Sequence, residues 1–517
     1  MKLTVGITQL LPEWKILINQ IGVSYEDLHP IKPIKPDQAS VIIVTEQGLQ
    51  TEKDILLQYI NTGGSILIEA NIAEWLFDIK TIKSFINNIE PIKDSIFDNV
   101  IPGYIQKKLY LPRKGNMLEV KSGKKLVQVY TLGKGTAIII PGGFSNILLD
   151  TKARRRNFPT HALHLPSERV ACRSKHTIRE VIQTSLEYLH YIRDLPFLYL
   201  SPFPDGKQSI FNFRVDTDFA SEKEIDSLYQ TCLTHNISAT WFVETKSAIN
   251  RMEQFAGMQN QEIGLHCYNH KVTNQHNSIK LDVNKGINIL NKANIHYYGY
   301  AAPYGEWNIP LAKVIEQADF IYSSEFTLDY DNLPYYPYFK GAFSSVLQVP
   351  VHPISLGILK NARHNKDDII NYYTNVIQDR IDHNLPVFIY DHPSIGNVNS
   401  INWLLQYIHE IDIPIYSLGD YANWWKKRLN IKWTPIFNQV QIDIQWQKLP
   451  CPTYLLIKKS PQESSIIKTS PTINLNGIKW EKKKFVDKPT VKMSVRLKTN
   501  RKMIINNILY LYRRLTQ

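Results

Sequence analysis

The stretch SIFNFRVDTDF, residues 209–219, runs through an apolar segment and closes on two carboxylates, Asp216 and Asp218. It reads as a buried strand with acid at its C-terminal end. Carboxylates two residues apart point to the same side if the strand stays regular. One could hold a metal while the other takes a proton from water, although an Asx-type turn would use the same residues. Six further runs share the strand character: ISATWFV (237–243), EIGLHC (262–267), HYYGYAAP (296–303), DFIYSSE (319–325), SVLQVPV (345–351) and LPVFIYDH (385–392). Helical stretches at 221–234, 280–293, 309–317, 366–382 and 400–409 fall between most of them. Seven strands with intervening helices predict an α/β, barrel-like domain over about 195–425.

Four motifs sit at or just beyond predicted strand ends, where such barrels gather catalytic groups. The first is the Asp216/Asp218 pair. The second is HCYNH, whose His266 and His270 can meet one divalent ion if the segment folds back. No glutamate follows His266, so this is not the HExxH pattern, and a base must come from elsewhere. Two histidines and a carboxylate are a usual zinc set with one position left open. The third is AAPYGEW (301–307), in which Pro303, Tyr304 and Gly305 shape a tight loop and Trp307 follows. Such a loop can line a pocket and offer N–H groups to an oxyanion. The fourth is YDHPSI, where His392 could protonate a leaving group. VHP (351–353) supplies a rival, His352.

The order Asp-x-Asp, His-x3-His, Pro-Tyr-Gly, His-Pro closely resembles the metal-dependent polysaccharide deacetylase family, the NodB-homology or carbohydrate esterase family 4 domain. The resemblance covers roughly residues 205–395. It implies an irregular (β/α)7-type barrel that removes acetyl groups from N- or O-acetylated sugars. It also implies Asp216 as catalytic base, and Asp218, His266 and His270 as ligands of a divalent ion, usually Zn2+. His392 is implied as general acid, and an acetylated saccharide or glycoconjugate as the partner. Two other readings stay open: an amide hydrolase on a small non-sugar substrate, and a degenerate site that binds metal or sugar without turnover.

One departure from the family pattern matters. The family's loop starts with an arginine that orients the base, and here that place is held by Ala301. Arg214 precedes the Asp pair and would face the same side as Asp216 on a regular strand, so it is one substitute. Arg363 is another. The carboxylate that tunes the acid histidine is not identifiable, with Asp329 and Asp331 as candidates.

The flanks carry weaker signals. Residues 1–150 alternate strand-like and helical runs, as in SVIIVTE (40–46), TEKDILLQYINTGG, SILIEA (65–70) and the strand–turn–strand ending at GGF (142–144). They resemble flavodoxin-like or glutamine-amidotransferase-like α/β domains such as the ThuA-like group. The first cysteine is Cys172, so no nucleophilic cysteine lies there and a non-catalytic role is expected. Residues 151–194 read as a linker and helix. Residues 430–517 read as a basic β-rich domain, with QVQIDIQW (439–446), TYLLIKK (453–459) and TVKMSVRLK (490–498); KMIINNILYLYRR (502–514) could equally be a helix.

Composition bounds the rest. The 517 residues are 43% apolar and 21% charged, which is globular, and the four cysteines form neither a disulfide framework nor a metal pair. Glu13 and Lys15 interrupt what would be a signal peptide's apolar stretch, so a cytoplasmic protein is expected. The formal charge is +13, but it is unevenly placed: from Lys426 onward there are 20 Lys or Arg against 4 Asp or Glu. A basic module that contacts an anionic polymer, a membrane surface or an acidic protein fits this pattern. Nucleic acid does not, since no recognition motif accompanies the charge.

Overall fold

A computed structural model describes residues 1–93, 95–114, 118–119, 126–160, 162, 164–482 and 501–516. Two compact units emerge. One gathers Met1–Asp150, Arg173–Gly206 and the described residues from Lys426 to Lys482; the other gathers Thr151–Cys172, Lys207–Trp425 and the helix Arg501–Thr516.

The second unit is built on seven parallel strands. In chain order these are Phe211–Asp216, Thr240–Glu244, Glu262–Cys267, Gly299–Tyr300, Tyr322–Ser323, Leu347–Gln348 and Val387–Asp391. Their order in the sheet runs sixth to first and then seventh. An isolated parallel bridge, His352 to Ile389, joins the chain just after the sixth strand to the seventh. The sheet therefore curls into the irregular (β/α)7-type barrel, an α/β fold with α/β and β-rich flanks. Parallel strands covered by helices are buried on both faces, and Phe211–Asp216 and Thr240–Glu244 are buried at every position.

Local signals set the helix starts. Ser221 accepts the Glu224 N–H while the Glu224 carboxylate accepts the Ser221 N–H, opening Glu222–Thr234. Asn365 and Asp368 repeat this box before Lys366–Asp382. Asn308 caps Ile309–Gln317.

The linker reading of 151–172 does not describe its structure. Ala153–Asn157 and Ser167–Ala171 form an antiparallel hairpin within the barrel unit, where the Ala171 N–H donates to the Phe326 carbonyl. The predicted helix after it runs Lys175–Tyr191 and falls in the other unit.

That other unit carries a six-stranded sheet, parallel except for its edge strand Gln128–Leu132. Alternation along its strands sends Ile42, Val44, Ile66, Ile68, Ala137 and Ile139 to one face, against Leu56, Tyr59, Ile60 and Leu76 of two helices. The hairpin of Thr81–Pro91 and Gly103–Pro112 had no sequence signal, because its lysines and asparagines blur the two-residue alternation. Residues 432–482 are β-rich as expected. Part of that region pairs with Phe197–Leu200, so its strands complete sheets of this unit. The expected strand 490–498 lies outside the described residues.

Candidate active site and metal centre

The chemistry-bearing motifs converge at the C-terminal ends of the first, third and seventh barrel strands. Asp216 ends the first strand and is 4% exposed. Arg214, two residues earlier and fully buried, donates from Nε to Oδ1 and from Nη2 to Oδ2, both at 2.7 Å. Its third nitrogen, Nη1, reaches the Ser324 carbonyl, and the guanidinium lies 5.1 Å from the Phe242 ring and 5.5 Å from Tyr390. A planar fork gripped on three sides holds a carboxylate in one orientation. Arg363 is exposed at φ 64° on the turn after Leu356–Asn361, so Arg214 is the arginine that orients Asp216.

Beyond Asp216 the chain turns sharply. Asp218 takes φ 42°, the left-handed region that costs a non-glycine residue about 1–2 kcal/mol. That turn brings its Oδ1 to 3.2 Å from the Nε2 atoms of both His266 and His270. His266 is the penultimate residue of the third strand, and His270 follows on a loop that Asp282 ties down by accepting the N–H groups of Tyr268 and Asn269. Burial would raise the Asp218 carboxyl, but His266, His270 and His392 around it hold it far below the ordinary carboxylate range.

The donor set fits a divalent cation. One carboxylate oxygen and two imidazole nitrogens lie within 4.8 Å of one another. Asp218 Oδ1 and His266 Nε2 are buried with no hydrogen-bond partner, a cost that a shared cation would remove. A divalent-metal type of ligand cluster is present.

His392 arrives from the seventh strand, with Nε2 3.4 Å from Asp218 Oδ2 and the ring 37% exposed. The rival His352 is buried, shares a hydrogen bond with the Tyr372 hydroxyl at 3.0 Å, and is pushed by burial well below the ordinary histidine value. It is a core residue. Of the tuning candidates, Asp329 accepts the Asp331 N–H and closes its own turn. Besides Asp218 and Asp391, Glu168 from the hairpin read as linker also interacts electrostatically with His392. Asp391 stands 3.9 Å from His392 Nδ1, too far for a hydrogen bond, and burial pushes its carboxyl up to about 6.

The third motif forms a short 3-10 turn, Pro303–Gly305, with Tyr304 and Gly305 both at φ 57°. A Cβ on Gly305 would meet the Phe326 ring at 2.4 Å, so glycine is required there. The Tyr304 ring packs edge-on against His270 at 4.8 Å and is 38% exposed. Trp307, expected to line the cleft, is instead core: it is 7% exposed and packs against Ala312, Leu328 and Phe339. Arg169 of the hairpin pairs with the buried Glu306 and ties the loop down. Beside this loop, a solvent-open pocket of about 190 Å³ is lined by Tyr268, Asn269, Tyr300, Pro303 and Asn308, among others.

Two site residues had no sequence signal. Glu168 looked like linker charge. Phe219 is 67% exposed beside Asp218, 5.5 Å from the His270 ring, and nothing but its place after the Asp pair marks it.

Together these residues define a metal-dependent hydrolase type of site on a curled parallel barrel. The family model for polysaccharide deacetylases matches residues 216–323, which contain the Asp pair, the His pair and the Pro-Tyr-Gly loop. Among solved structures, a putative polysaccharide deacetylase from Mycobacterium smegmatis is 20% identical over 43% of this chain and 92% of its own, with a TM-score of 0.35. The peptidoglycan deacetylase PdaC from Bacillus subtilis is 13% identical over 43% and 95%, with a TM-score of 0.33. A family 4 carbohydrate esterase from Streptomyces lividans, in complex with acetate, is 11% identical over 40% and 91%, with a TM-score of 0.29. No curated protein matches the chain. None of these findings assigns the first unit to an amidotransferase-like family.

Proposed function

We propose that this protein is a hydrolase that removes acetyl groups from a saccharide or glycoconjugate, with Zn2+ held by Asp218, His266 and His270. The observation that carries the reading is the bidentate Arg214–Asp216 pair beside that donor set. A bound divalent ion would supply Lewis acidity, polarising the acyl carbonyl and acidifying water. Asp216, held by Arg214, accepts the proton of the attacking water. His392 faces the same cluster from the end of the adjacent seventh strand and donates a proton to the departing sugar nitrogen or oxygen. Exposed Phe219 and Tyr304 offer ring faces at the rim for a pyranose.

The test is acetate release from N- and O-acetylated glycans. Asp216→Asn is expected to lower the rate by about a thousandfold or more while retaining one metal per chain. Asp218→Asn and His266→Ala are expected to lose the metal. Unchanged zinc stoichiometry in those two variants would refute the ligand assignment, and full activity in Asp216→Asn would refute the base.

A further inference from the structure

The helix Arg501–Thr516 is RKMIINNILYLYRRLT. At 3.6 residues per turn, positions 504, 508, 511 and 515 fall in one row, and 505, 509 and 512 in the next. This is an apolar stripe of Ile, Leu and Tyr. In a packed helix such a stripe faces a core. Here Ile504, Ile505, Ile508, Leu509 and Leu511 are each between 46% and 59% exposed.

The charged residues of the helix are all of one sign. The helix has four cations, Arg501, Lys502, Arg513 and Arg514, and no Asp or Glu. On the helical wheel, 502 and 513 border one side of the stripe and 514 lies beyond the other, while 501 falls in line with the stripe at the helix's first residue. From Lys482 to the last residue given, the sequence has 11 basic residues and one acid, Asp487. A soluble polyanion would use these cations and leave the stripe wet. A lipid surface with anionic headgroups uses both: the stripe enters the acyl boundary while the cations meet phosphate. No described helix is long and apolar enough to cross a membrane, so this one could only lie along its surface.

We propose that the helix Arg501–Thr516 docks this protein on an anionic membrane surface. The full chain is mixed with vesicles of equal parts phosphatidylglycerol and phosphatidylcholine, or of phosphatidylcholine alone, and sedimented in about 0.1 M and about 1 M salt. Expected are co-sedimentation with the anionic vesicles and its weakening in high salt. The double change Ile508→Glu, Leu511→Glu should cut binding at least about tenfold, with the thermal transition unchanged. Arg513→Glu with Arg514→Glu should remove the preference for anionic lipid. The proposal is overturned if the wild type does not sediment, or if the Glu pair binds equally well. It is also overturned if the chain binds heparin but not vesicles, or if the Glu pair only converts a dimer to a monomer.

Discussion

Arg214 does from within a strand what the family resemblance assigns to a loop. Its fork spans both Asp216 oxygens at 2.7 Å, which an ammonium cannot do. Arg214→Lys is therefore expected to lower kcat by about 10- to 100-fold with KM and metal stoichiometry little changed, read by steady-state kinetics and metal analysis. Glu325 lies beneath the same pair, accepting the Ala302 N–H at 3.3 Å, and burial pushes its carboxyl up to about 7. A carboxyl raised in the folded state favours folding while both states are protonated. That stability is lost as pH rises from about 4.5, where the unfolded chain ionises, to about 7, where the native group follows. The loss is roughly 3–4 kcal/mol. Glu325→Gln should flatten this slope in thermal melts run with chelator across that window, and an unchanged slope would place the titration elsewhere.

At the scale of elements, the hairpin 153–171 is tied to the loop after the fourth strand. Glu306 is 4% exposed, so removing Arg169 takes a cation away from a buried carboxylate. Arg169→Ala should cost about 3 kcal/mol in denaturant unfolding, and Arg169→Ala with Glu306→Gln distinctly less, since the second change removes the buried charge that Arg169 faces. This hairpin also shows where sequence reading stops. Strand ends bearing Asp216, His266 and His392 were legible because buried parallel strands read as continuous apolar runs and place polar groups at their C-terminal ends. EIGLHC and the helices 309–317 and 366–382 coincide with the structure for that reason. Residues 151–172 carry five Arg and Lys and no sustained alternation, so neither strand pairing nor the electrostatic influence between Glu168 and His392 had a local signature. Trp307 failed for the converse reason: an aromatic next to a motif has the same sequence whether it faces ligand or core.

For the whole molecule, two compact units predict two calorimetric transitions. Chelation should lower only the one belonging to the barrel, by the linkage of metal to its folded state, and re-addition should restore it. Within the other unit, Arg428 is 2% exposed and donates to the carbonyls of Ser201, Asn19 and Leu200, joining segments far apart in sequence. Arg428→Ala leaves those acceptors unmatched. It should lower the other transition by about 3 kcal/mol equivalent while metal content stays intact.

Because Asp216 and the guanidinium that aligns it are neighbours on one strand, residues 301–304 are released from that duty. Substitutions or grafts between Ala301 and Tyr304 can reshape which acyl group is admitted, while the alignment of Asp216 travels with its own strand.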